Sequence, residues 1–597
     1  MSGITEIRPI WLWFWISAIL IMGGGFLAHM IQTSGGVKIR DIRYMGTDGK
    51  VISALLYIPD NATKDTPAPG IVATHGYINS KETQDGFAIE FARRGYVVLA
   101  PDQPGHGYSD PPAFNAGFGG PGNLAYLRSL DIVDPNNIGL EGHSMGGWAS
   151  VRAAAFNPNG YQAMVLASSS TGSFGSPAGT PEFPWNLALI FSEFDEFSET
   201  MWGAKIPKNI VDTNKLKTLF GTDSRVEAGK LYGSIEDGTA RKLYQPSMIH
   251  PRVHFSIEAI SYAVEWMQTT LKGGKSIPPT DQIWYWKEVG TLVALIGMVL
   301  LFFTVGSLLL HSDFFKELAE SPPEGRSITS ATGWWIGALI TILMPIPLYL
   351  WAWSFNGRGI AKSRFLIPQQ ITNTIMFWAL GVGVISLVLF LLWHYASNRK
   401  KGGTLVHYGL AWRYGGIRWK KVGKSILLAA LVALGAYLSL VLSDWLFQTD
   451  YRIWVFAIKP MSPLHLRIFF CYLIPFTVYF LIAGLILHGQ LRPFQADGSP
   501  MAMGKEMLIN VLLMISGYVL YLLFQYIPLF AGHTLSIPSE SLSSIVLFQF
   551  IPLFIIVSLV STYFFRKTGH LFVGSFLNAF WVTWTVVAGQ AIHYSPR

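Results

Sequence analysis

The hydrophobic residues of this chain follow two different patterns. Nine apolar runs are each long enough to cross a bilayer, which takes about 20 residues in a helix. The first run covers residues 10–31. The others cover residues 289–310, 332–353, 372–396, 425–447, 466–488, 507–531, 543–565 and 571–592. These runs predict an all-α transmembrane bundle of about nine helices in total.

Residues 36–285 have a different pattern, in which short apolar segments alternate with amphipathic ones. The strand candidates are VKIRDIRYM, VISALLYIP, GIVATHG, YVVLAPD, IGLEGHS, AMVLASSS and LALIFSEFD, with helical segments such as GFAIEFARRG and GGWASVRAAAF between several of them. This alternation predicts an α/β domain with a mainly parallel sheet and helices on both faces. The first two segments, joined by TDGK, are expected to form an antiparallel hairpin.

The two patterns divide the chain into three parts. Residues 1–35 are predicted to be an N-terminal transmembrane anchor, residues 36–285 an α/β domain, and residues 286–597 a polytopic transmembrane domain with about eight helices. The first run is long for a signal peptide and lacks a clear small-residue cleavage site, so we interpret it as an uncleaved anchor.

Composition agrees with a membrane protein. Only 13% of the residues are charged, whereas about a quarter are charged in an ordinary soluble protein. The net charge of +8 arises outside residues 36–285, which are slightly acidic. An excess of Lys and Arg in cytoplasmic loops explains it, so no nucleic-acid partner is inferred. The single cysteine, Cys471, excludes an intrachain disulfide and a thiolate zinc cluster.

The distribution of Lys and Arg also predicts an orientation. Basic residues concentrate in the loops that would lie across the membrane from residues 36–285, above all in the loop from Arg399 to Lys424. Because such loops stay in the cytoplasm, the α/β domain is predicted to be extracytoplasmic, on a multi-pass protein of the cell membrane.

The strongest chemical signal is Gly142-His143-Ser144-Met145-Gly146, which joins a predicted strand to a predicted helix. In such a nucleophile elbow the serine occupies a strained turn, and the glycines leave room for that turn and for close packing of the helix on the strand. Strand GIVATHG likewise ends in His75-Gly76-Tyr77. The backbone N–H groups of Tyr77 and Met145 are therefore candidate donors of an oxyanion hole.

The segments VATHGY, PDQPGHGYSD and DPNNIGLEGHSMGG resemble the successive signatures of the α/β-hydrolase superfamily, above all its dienelactone-hydrolase and serine-aminopeptidase-like branches. The resemblance covers residues 37–272 and extends to no family for the later spans. It implies an α/β-hydrolase fold and a catalytic serine, and it does not specify a substrate. His106, within the second segment, belongs to a loop motif and is expected to be structural.

The resemblance implies the chain order serine, acid, histidine. The acid should follow the strand LALIFSEFD, which favours Asp195, with Glu193 and Glu196 as alternatives. The histidine should precede the helix that Ser256 is predicted to cap. Both His250 and His254 do so, and the spacing in relatives favours His250. Residues 196–249 form a long insertion between acid and histidine that is expected to act as a lid.

These residues predict a serine hydrolase that cleaves an ester, thioester or amide through an acyl-enzyme, with no metal or organic cofactor. The expected partners are a small-molecule or lipid acyl substrate and membrane lipids; the oligomeric state is left open. A membrane-bound serine peptidase is one alternative. Another is a transporter or receptor-like protein whose hydrolase-like domain only binds. Ionisable residues mark ion paths, but His394, Asp444 and His488 fall near predicted span ends, which disfavours a transporter.

Overall fold

The computed structural model describes residues 2–323, 331–412, 416–493 and 501–594. Its strands are β1 (Lys38–Met45), β2 (Val51–Ile58), β3 (Ala68–Thr74), β4 (Val97–Pro101), β5 (Val133–His143), β6 (Ala163–Ala167), β7 (Leu187–Ile190), β8 (Leu231–Tyr232), β9 (Arg241–Tyr244), β10 (Tyr451–Ile453) and β11 (Phe456–Ile458). Strands β1–β9 form one sheet in the order β1-β2-β4-β3-β5-β6-β7-β9-β8. The six strands from β4 to β9 along this order run parallel.

Helices cover both faces of this sheet and form the membrane part. They are α1 (Ser2–Gln32), α2 (Asp85–Arg93), α3 (Gly120–Arg128), α4 (Met145–Phe156), α5 (Ser198–Trp202), α6 (Asn214–Phe220), α7 (Ile257–Thr270), α8 (Trp284–Leu310), α9 (Ala331–Leu343), α10 (Pro345–Gly357), α11 (Gln370–Trp393), α12 (Trp419–Phe447), α13 (Pro463–Leu485), α14 (Met503–Phe530), α15 (Ser541–Phe548), α16 (Phe550–Thr568) and α17 (Phe572–Gly589). Two separate apolar cores lie on the two faces of the sheet, because its strands are buried on both sides.

Seven predicted strands and the β1–β2 hairpin are confirmed. The predicted cap of α7 is also confirmed, since the Ser256 hydroxyl accepts a hydrogen bond from the Ala259 N–H at 3.2 Å. The strands β8 and β9 were not predicted. They lie inside the segment expected to be a lid, and β9 pairs in parallel with β7. This part of the insertion is therefore sheet, and it leads directly toward His250.

The prediction of about nine membrane-capable helices is confirmed. Within the described residues nine helical segments have the length and apolar character to cross a bilayer. Two of them, Thr332–Gly357 and Pro538–Thr568, each join two helices across a break. In the first, Pro345 opens α10 directly after Met344, where a proline cannot complete the hydrogen-bond ladder of the preceding turn.

The N-terminal helix is part of the bundle. Its Gly24 lies so close to α8 that an added Cβ would come within 2.5 Å of the Gly290 carbonyl oxygen. Conversely, a Cβ on Gly290 would come within 2.6 Å of the Gly24 carbonyl oxygen. Glycines at a helix contact let two backbones approach closely in a membrane. The contact joins α1 to the first helix after the α/β domain, so both ends of that domain leave it at one place.

The expectation that ionisable groups in the spans lie at solvated ends is wrong for His488. A turn with i→i+5 hydrogen bonds, Ile486–Gln490, follows α13 and packs this histidine against α16, where it is fully buried. Its Nε2 lies 2.8 Å from the Ser561 hydroxyl. On neighbouring helices the Asn510 amide donates to the Thr562 hydroxyl at 2.8 Å. His488 and Asn510 thus each have a polar partner on a neighbouring helix inside the bundle.

Glu90 of α2 fixes the junction between the α/β domain and the membrane part. Its Oε1 accepts hydrogen bonds from the backbone N–H groups of Ile283 at 2.7 Å and Trp284 at 3.1 Å, at the first turn of α8. Its Oε2 accepts from the Arg94 guanidinium at 2.7 Å. Arg94 in turn donates to the carbonyls of Pro278 and Asp281, in the linker that joins α7 to α8. A carboxylate at a helix N-terminus satisfies free N–H groups and favours the helix dipole.

We expect Glu90→Ala to destabilise the protein by about 3–5 kcal/mol, because it leaves the Arg94 charge buried without its partner. The side chains of Glu90 and Arg94 are both fully buried. Thermal unfolding of the full chain in detergent measures the effect as a drop in Tm.

The matched control is Glu227→Ala, which breaks an ion pair with Lys230 of the same N–O length, 2.7 Å, on the surface. Solvent-exposed pairs contribute little, so its Tm should hardly change. Equal Tm values for the two variants would contradict the proposed role of Glu90.

Candidate active site

Ser144 lies in the sharp turn between β5 and α4. Its φ of 52° is in the left-handed region, which is strained for a residue other than glycine. The turn closes only because its neighbours lack side chains. A Cβ on Gly146 would lie 2.0 Å from the Thr74 carbonyl oxygen, and one on Gly142 would lie 2.3 Å from the Gly146 carbonyl group. The sequence prediction of a strand–turn–helix around Ser144 thus matches the local structure.

Asp195 and His250 meet at the carboxyl ends of β7 and β9. An isolated parallel bridge between Phe194 and Ile249 aligns the two segments that follow these strands. The His250 Nδ1 then lies 3.1 and 3.0 Å from the two carboxylate oxygens of Asp195. The Asp195 carboxylate also accepts a hydrogen bond from the Phe197 N–H at 3.0 Å. Asp195 is fully buried, and its contacts with His250 and with the Phe197 N–H fix its orientation.

The electrostatics of this pair suit a proton acceptor. Burial lowers the pKa of His250, but the charge and hydrogen bond of Asp195, helped by the charge of Glu196, outweigh it and leave the pKa raised. Because the Nδ1 faces Asp195, its proton is held there and Nε2 is the ring atom free to accept another. Asp195 therefore sets both the tautomer and the basicity of His250.

The alternative residues take other contacts. The His254 ring packs against the His143 ring, with centroids 3.7 Å apart and planes tilted by 43°. Burial lowers the pKa of both rings well below the ordinary value, which keeps them neutral. Glu193 accepts a hydrogen bond from the Ser247 hydroxyl at 2.5 Å. Glu196 accepts one from the backbone N–H of His250 at 2.8 Å, and thus supports the same loop without meeting the ring.

Tyr77 and Met145 flank Ser144, as the oxyanion prediction requires. A Cβ on Gly76 would lie 3.2 Å from the Ser144 Cβ, so the loop after β3 packs directly on the serine. Two buried histidines hold that loop. The His75 Nε2 accepts a hydrogen bond from the Gln103 N–H at 3.0 Å, and the His106 Nε2 accepts one from the Ile78 N–H at 3.3 Å. His106 therefore has structural contacts, as its loop motif indicated.

Several of these residues open onto one cavity of about 250 Å³, the large cavity. Ser144 and His250 line it together, and most of the remaining wall is apolar. The residues from the α/β domain include Tyr77, Phe114, Met145, Trp148, Phe174, Phe197, Met201 and His254. Apolar cavities of this kind that carry a few polar groups are typical binding sites for small molecules.

Part of the wall comes from the membrane domain, which the sequence analysis did not foresee. Val455, in the β10–β11 hairpin, and Leu542, Ile545 and Gln549, in and just after α15, complete the large cavity. No local motif announces these residues, because they reach the site only through packing of distant segments. The large cavity therefore lies at the seam between the two domains.

Further contacts across the seam hold the loops that carry site residues. The Tyr526 hydroxyl of α14 donates to Glu196 at 2.7 Å, and the Ser541 hydroxyl donates to the Glu196 carbonyl at 2.8 Å. The Tyr77 hydroxyl lies 2.9 Å from the His593 Nε2, after α17. The loops that carry Asp195 and Tyr77 are thus each tied to the membrane domain by a hydrogen bond.

Comparison with known proteins adds the family context. A family model described as alpha/beta hydrolase fold matches residues 69–230, which include the elbow and Asp195. Together with the strand order and the Ser144 turn, this match decides the fold. The domain that contains this match has an α/β-hydrolase fold. The predicted fold and the resemblance to this superfamily are therefore confirmed, and the chain joins an α/β-hydrolase domain to a set of membrane-capable helices.

Individual relatives match only the α/β-hydrolase domain. An uncharacterized protein of Mycobacterium tuberculosis is 30% identical over 100 residues, which are 17% of this chain and 29% of that protein. The quorum-quenching protein AidA of Acinetobacter baumannii is 32% identical over 151 residues, which are 23% of this chain and 45% of AidA. The chain thus spans less than half the length of these curated relatives. A solved CIB-like hydrolase from Thermoplasma acidophilum is 16% identical, with a TM-score of 0.28, and covers 39% of this chain and 97% of its own.

Proposed function

We propose that this protein is a membrane-anchored serine hydrolase that cleaves an ester or thioester through an acyl-enzyme. The observation that carries the proposal is that His250, which pairs with Asp195, opens onto the same cavity as Ser144. Asp195 and His250 are both buried, and a turn with only a structural role would not need this pair. The apolar wall of the large cavity suits the acyl part of a substrate, either a small molecule or a lipid.

The mechanism assigns one task to each residue. His250 accepts the proton of the Ser144 hydroxyl through Nε2 while the serine oxygen attacks the substrate carbonyl carbon. Asp195 keeps the Nδ1–H tautomer and stabilises the imidazolium that forms. The N–H groups of Tyr77 and Met145 stabilise the oxyanion, a contribution of about 10²–10³ in rate for each donor. His250 then protonates the leaving group, and water releases the acyl group by the reverse sequence.

A serine peptidase would use the same machinery on an amide. We favour an ester or thioester because the large cavity is apolar on most sides, which suits an alkyl acyl chain better than a polypeptide backbone with its many hydrogen-bonding groups. Comparison of matched p-nitrophenyl esters and p-nitroanilides with the same acyl group separates the two activities.

One observation favours a second candidate function, a transporter or receptor whose α/β-hydrolase domain only binds. The membrane domain holds buried polar groups, among them His488 and the Glu506–Arg566 pair at 3.3 Å. Ionisable groups at such depth mark ion or substrate paths in many membrane proteins. In this chain each has a polar partner, since His488 contacts Ser561 and Glu506 pairs with Arg566, which agrees equally with a structural role.

A fluorophosphonate probe, which reacts covalently with activated serines, tests the proposed chemistry. We expect it to label the wild-type chain and to leave Ser144→Ala unlabelled. We expect His250→Ala and Asp195→Asn each to slow hydrolysis of p-nitrophenyl butyrate by at least about 10³-fold, because both act on one proton transfer.

His254→Ala is the control for the histidine assignment, since its ring lies on His143 and away from Asp195. It should retain most of the activity. Activity lost in this variant and kept in His250→Ala would reverse the assignment. A wild-type protein that neither reacts with the probe nor hydrolyses the ester would favour the binding-only alternative.

The pH profile tests the coupling of Asp195 to His250. The base must be neutral to act, so kcat/KM falls as the pH drops below the His250 pKa, which Asp195 holds above its ordinary value. In Asp195→Asn that charge is lost and burial prevails, so the acid limb should move to lower pH while the plateau rate falls.

Glu196→Gln is the matched control for the pH profile. Its charge also raises the His250 pKa, though less than that of Asp195. The acid limb should therefore move in the same direction by a smaller amount, with the plateau rate nearly kept. An unchanged acid limb in Asp195→Asn would contradict this coupling.

We also propose that the α/β-hydrolase domain is extracytoplasmic, on a protein of the cell membrane. The basic loop from Arg399 to Lys424 supports this orientation through the positive-inside rule. The contacts at the seam agree with the order of the spans, since they join the domain to the predicted outer loops and tail. Arg452, Ser541 and His593 lie in these segments, and each contacts the α/β-hydrolase domain.

Cysteine labelling in intact cells checks this orientation. In a Cys471→Ser background, a membrane-impermeant maleimide should label Ser224→Cys, which is exposed on the α/β-hydrolase domain. The matched site Lys400→Cys, equally exposed in the basic loop, should react only after permeabilisation. The reverse pattern would place the domain in the cytoplasm.

A further inference from the structure

A second cavity lies next to the large cavity, on the side of the membrane domain. This small cavity has a volume of about 40 Å³ and shares four wall residues with the large one: Ile78, Asn79, Val455 and Gln549. A water molecule needs about 10–15 Å³ by this measure, so the small cavity has room for about three waters or for one carboxylate or phosphate group.

Two cations line the small cavity, both in the loop between α12 and α13. The Arg452 guanidinium is held by the Asp450 carboxylate at 2.5 Å and by the Thr83 hydroxyl at 3.1 Å. Lys459 is different. Its side chain is only 9% exposed, yet among the described residues its ammonium has neither a hydrogen bond nor an ion pair.

The surrounding carboxylates do not satisfy Lys459, because each is engaged elsewhere. Asp450 binds Arg452. Glu82 accepts from the Ser80 hydroxyl at 2.5 Å, and Asp102 accepts from the backbone N–H groups of Lys81 and Tyr108. They act on Lys459 only at longer range. A buried ammonium without a close partner is unfavourable in a folded protein. A bound anion would provide the close partner that the described residues do not give Lys459.

The charge of Lys459 acts on two histidines close to the candidate active site. Burial lowers the pKa of His75 to about 3, and Lys459 contributes in the same direction. It acts likewise on His106. These are the two histidines that hold the loop of Tyr77. The Lys459 charge therefore acts on the loop that packs against Ser144.

We propose that the substrate is an anionic acyl compound. Its carboxylate or phosphate group binds Lys459 in the small cavity, with Arg452 beside it, while its apolar part fills the large cavity against Ser144. This inference rests on the proposed function and specifies its substrate class. The four shared wall residues show that the two cavities are adjacent, and the proposal requires that one molecule extend from one into the other.

Calorimetry with monobutyl phosphate tests the anion site without any turnover. The full chain in a neutral detergent should bind this probe, and Lys459→Met, which keeps the length of the side chain, should weaken binding by at least about tenfold, because a charge-assisted hydrogen bond is lost. The matched control Lys272→Met removes an exposed lysine of the α/β-hydrolase domain and should leave binding unchanged. Equal affinities for wild type and a folded Lys459→Met protein, with an unchanged Tm, would overturn the proposal.

Kinetics then decide whether the site serves the reaction. We expect kcat/KM for mono-p-nitrophenyl glutarate to exceed that for neutral p-nitrophenyl butyrate. Lys459→Met should remove this preference, because it should lower kcat/KM for the anionic ester by at least about tenfold more than for the neutral ester. A second pair, palmitoyl lysophosphatidylglycerol against monopalmitoylglycerol, distinguishes a lipid from a water-soluble anion. A preference that depends on Lys459 in either pair supports the proposal.

The experiments distinguish failure of the anionic-substrate proposal from failure of the serine hydrolase proposal. Hydrolysis of the neutral ester with no anion preference in either pair would leave the serine hydrolase and overturn only the anionic substrate. Absence of probe labelling and of hydrolysis would overturn the proposed function, and the calorimetric comparison of Lys459→Met with Lys272→Met would still decide whether the anion site exists.

Discussion

The carboxylate of Glu90 is the contact on which the arrangement of the two domains depends. It accepts from the first N–H groups of α8 and binds Arg94, whose guanidinium holds the linker carbonyls. A flexible linker would let the α/β-hydrolase domain move freely over the membrane domain. With this junction fixed, and with α1 packed on α8 through Gly24 and Gly290, the chain enters and leaves the domain at one rigid point. The residues of the two domains that line the large cavity can then keep their relative positions.

The seam explains why the large cavity needs the membrane domain. The α/β-hydrolase domain alone supplies the nucleophile elbow, the acid–base pair and the Tyr77 loop. Val455 and the residues of α15 supply the opposite wall. Apolar contact area contributes most of the affinity for an acyl chain. The proposed acyl substrate would therefore bind much more weakly if this wall were removed. The membrane helices are thus part of the site as well as its anchor.

Much of the fold could be predicted from the sequence because its signals are local. The elbow glycines, the period of the strands before β8 and the length of the apolar runs each appear within about twenty residues. Strand β9 was missed because it has only four residues, two of them charged, Arg241 and Lys242. Its identity depends on pairing with β7, which no local pattern records.

The candidate site was predictable in part, for the same reason. Ser144 and the Tyr77 loop follow from motifs, whereas the choice between His250 and His254 depends on which ring faces Asp195, a question of tertiary packing. The seam contacts of Tyr526, Val455 and His593 join residues separated by hundreds of positions. The buried His488 was misjudged because its distance along the span suggested a solvated end, while the packing of α16 covers it.

The position of the large-cavity walls along the chain has a consequence for biosynthesis. Domains generally fold in order of synthesis, so the α/β-hydrolase domain can fold while the helices after it are still being made. Leu542, Ile545 and Gln549 join the site only with α15, and His593 reaches the Tyr77 loop only after α17. The nascent protein therefore carries Ser144, the proposed nucleophile, long before it carries a closed cavity, and under the proposed function the ability to bind substrate arrives only with the last helices of the membrane domain.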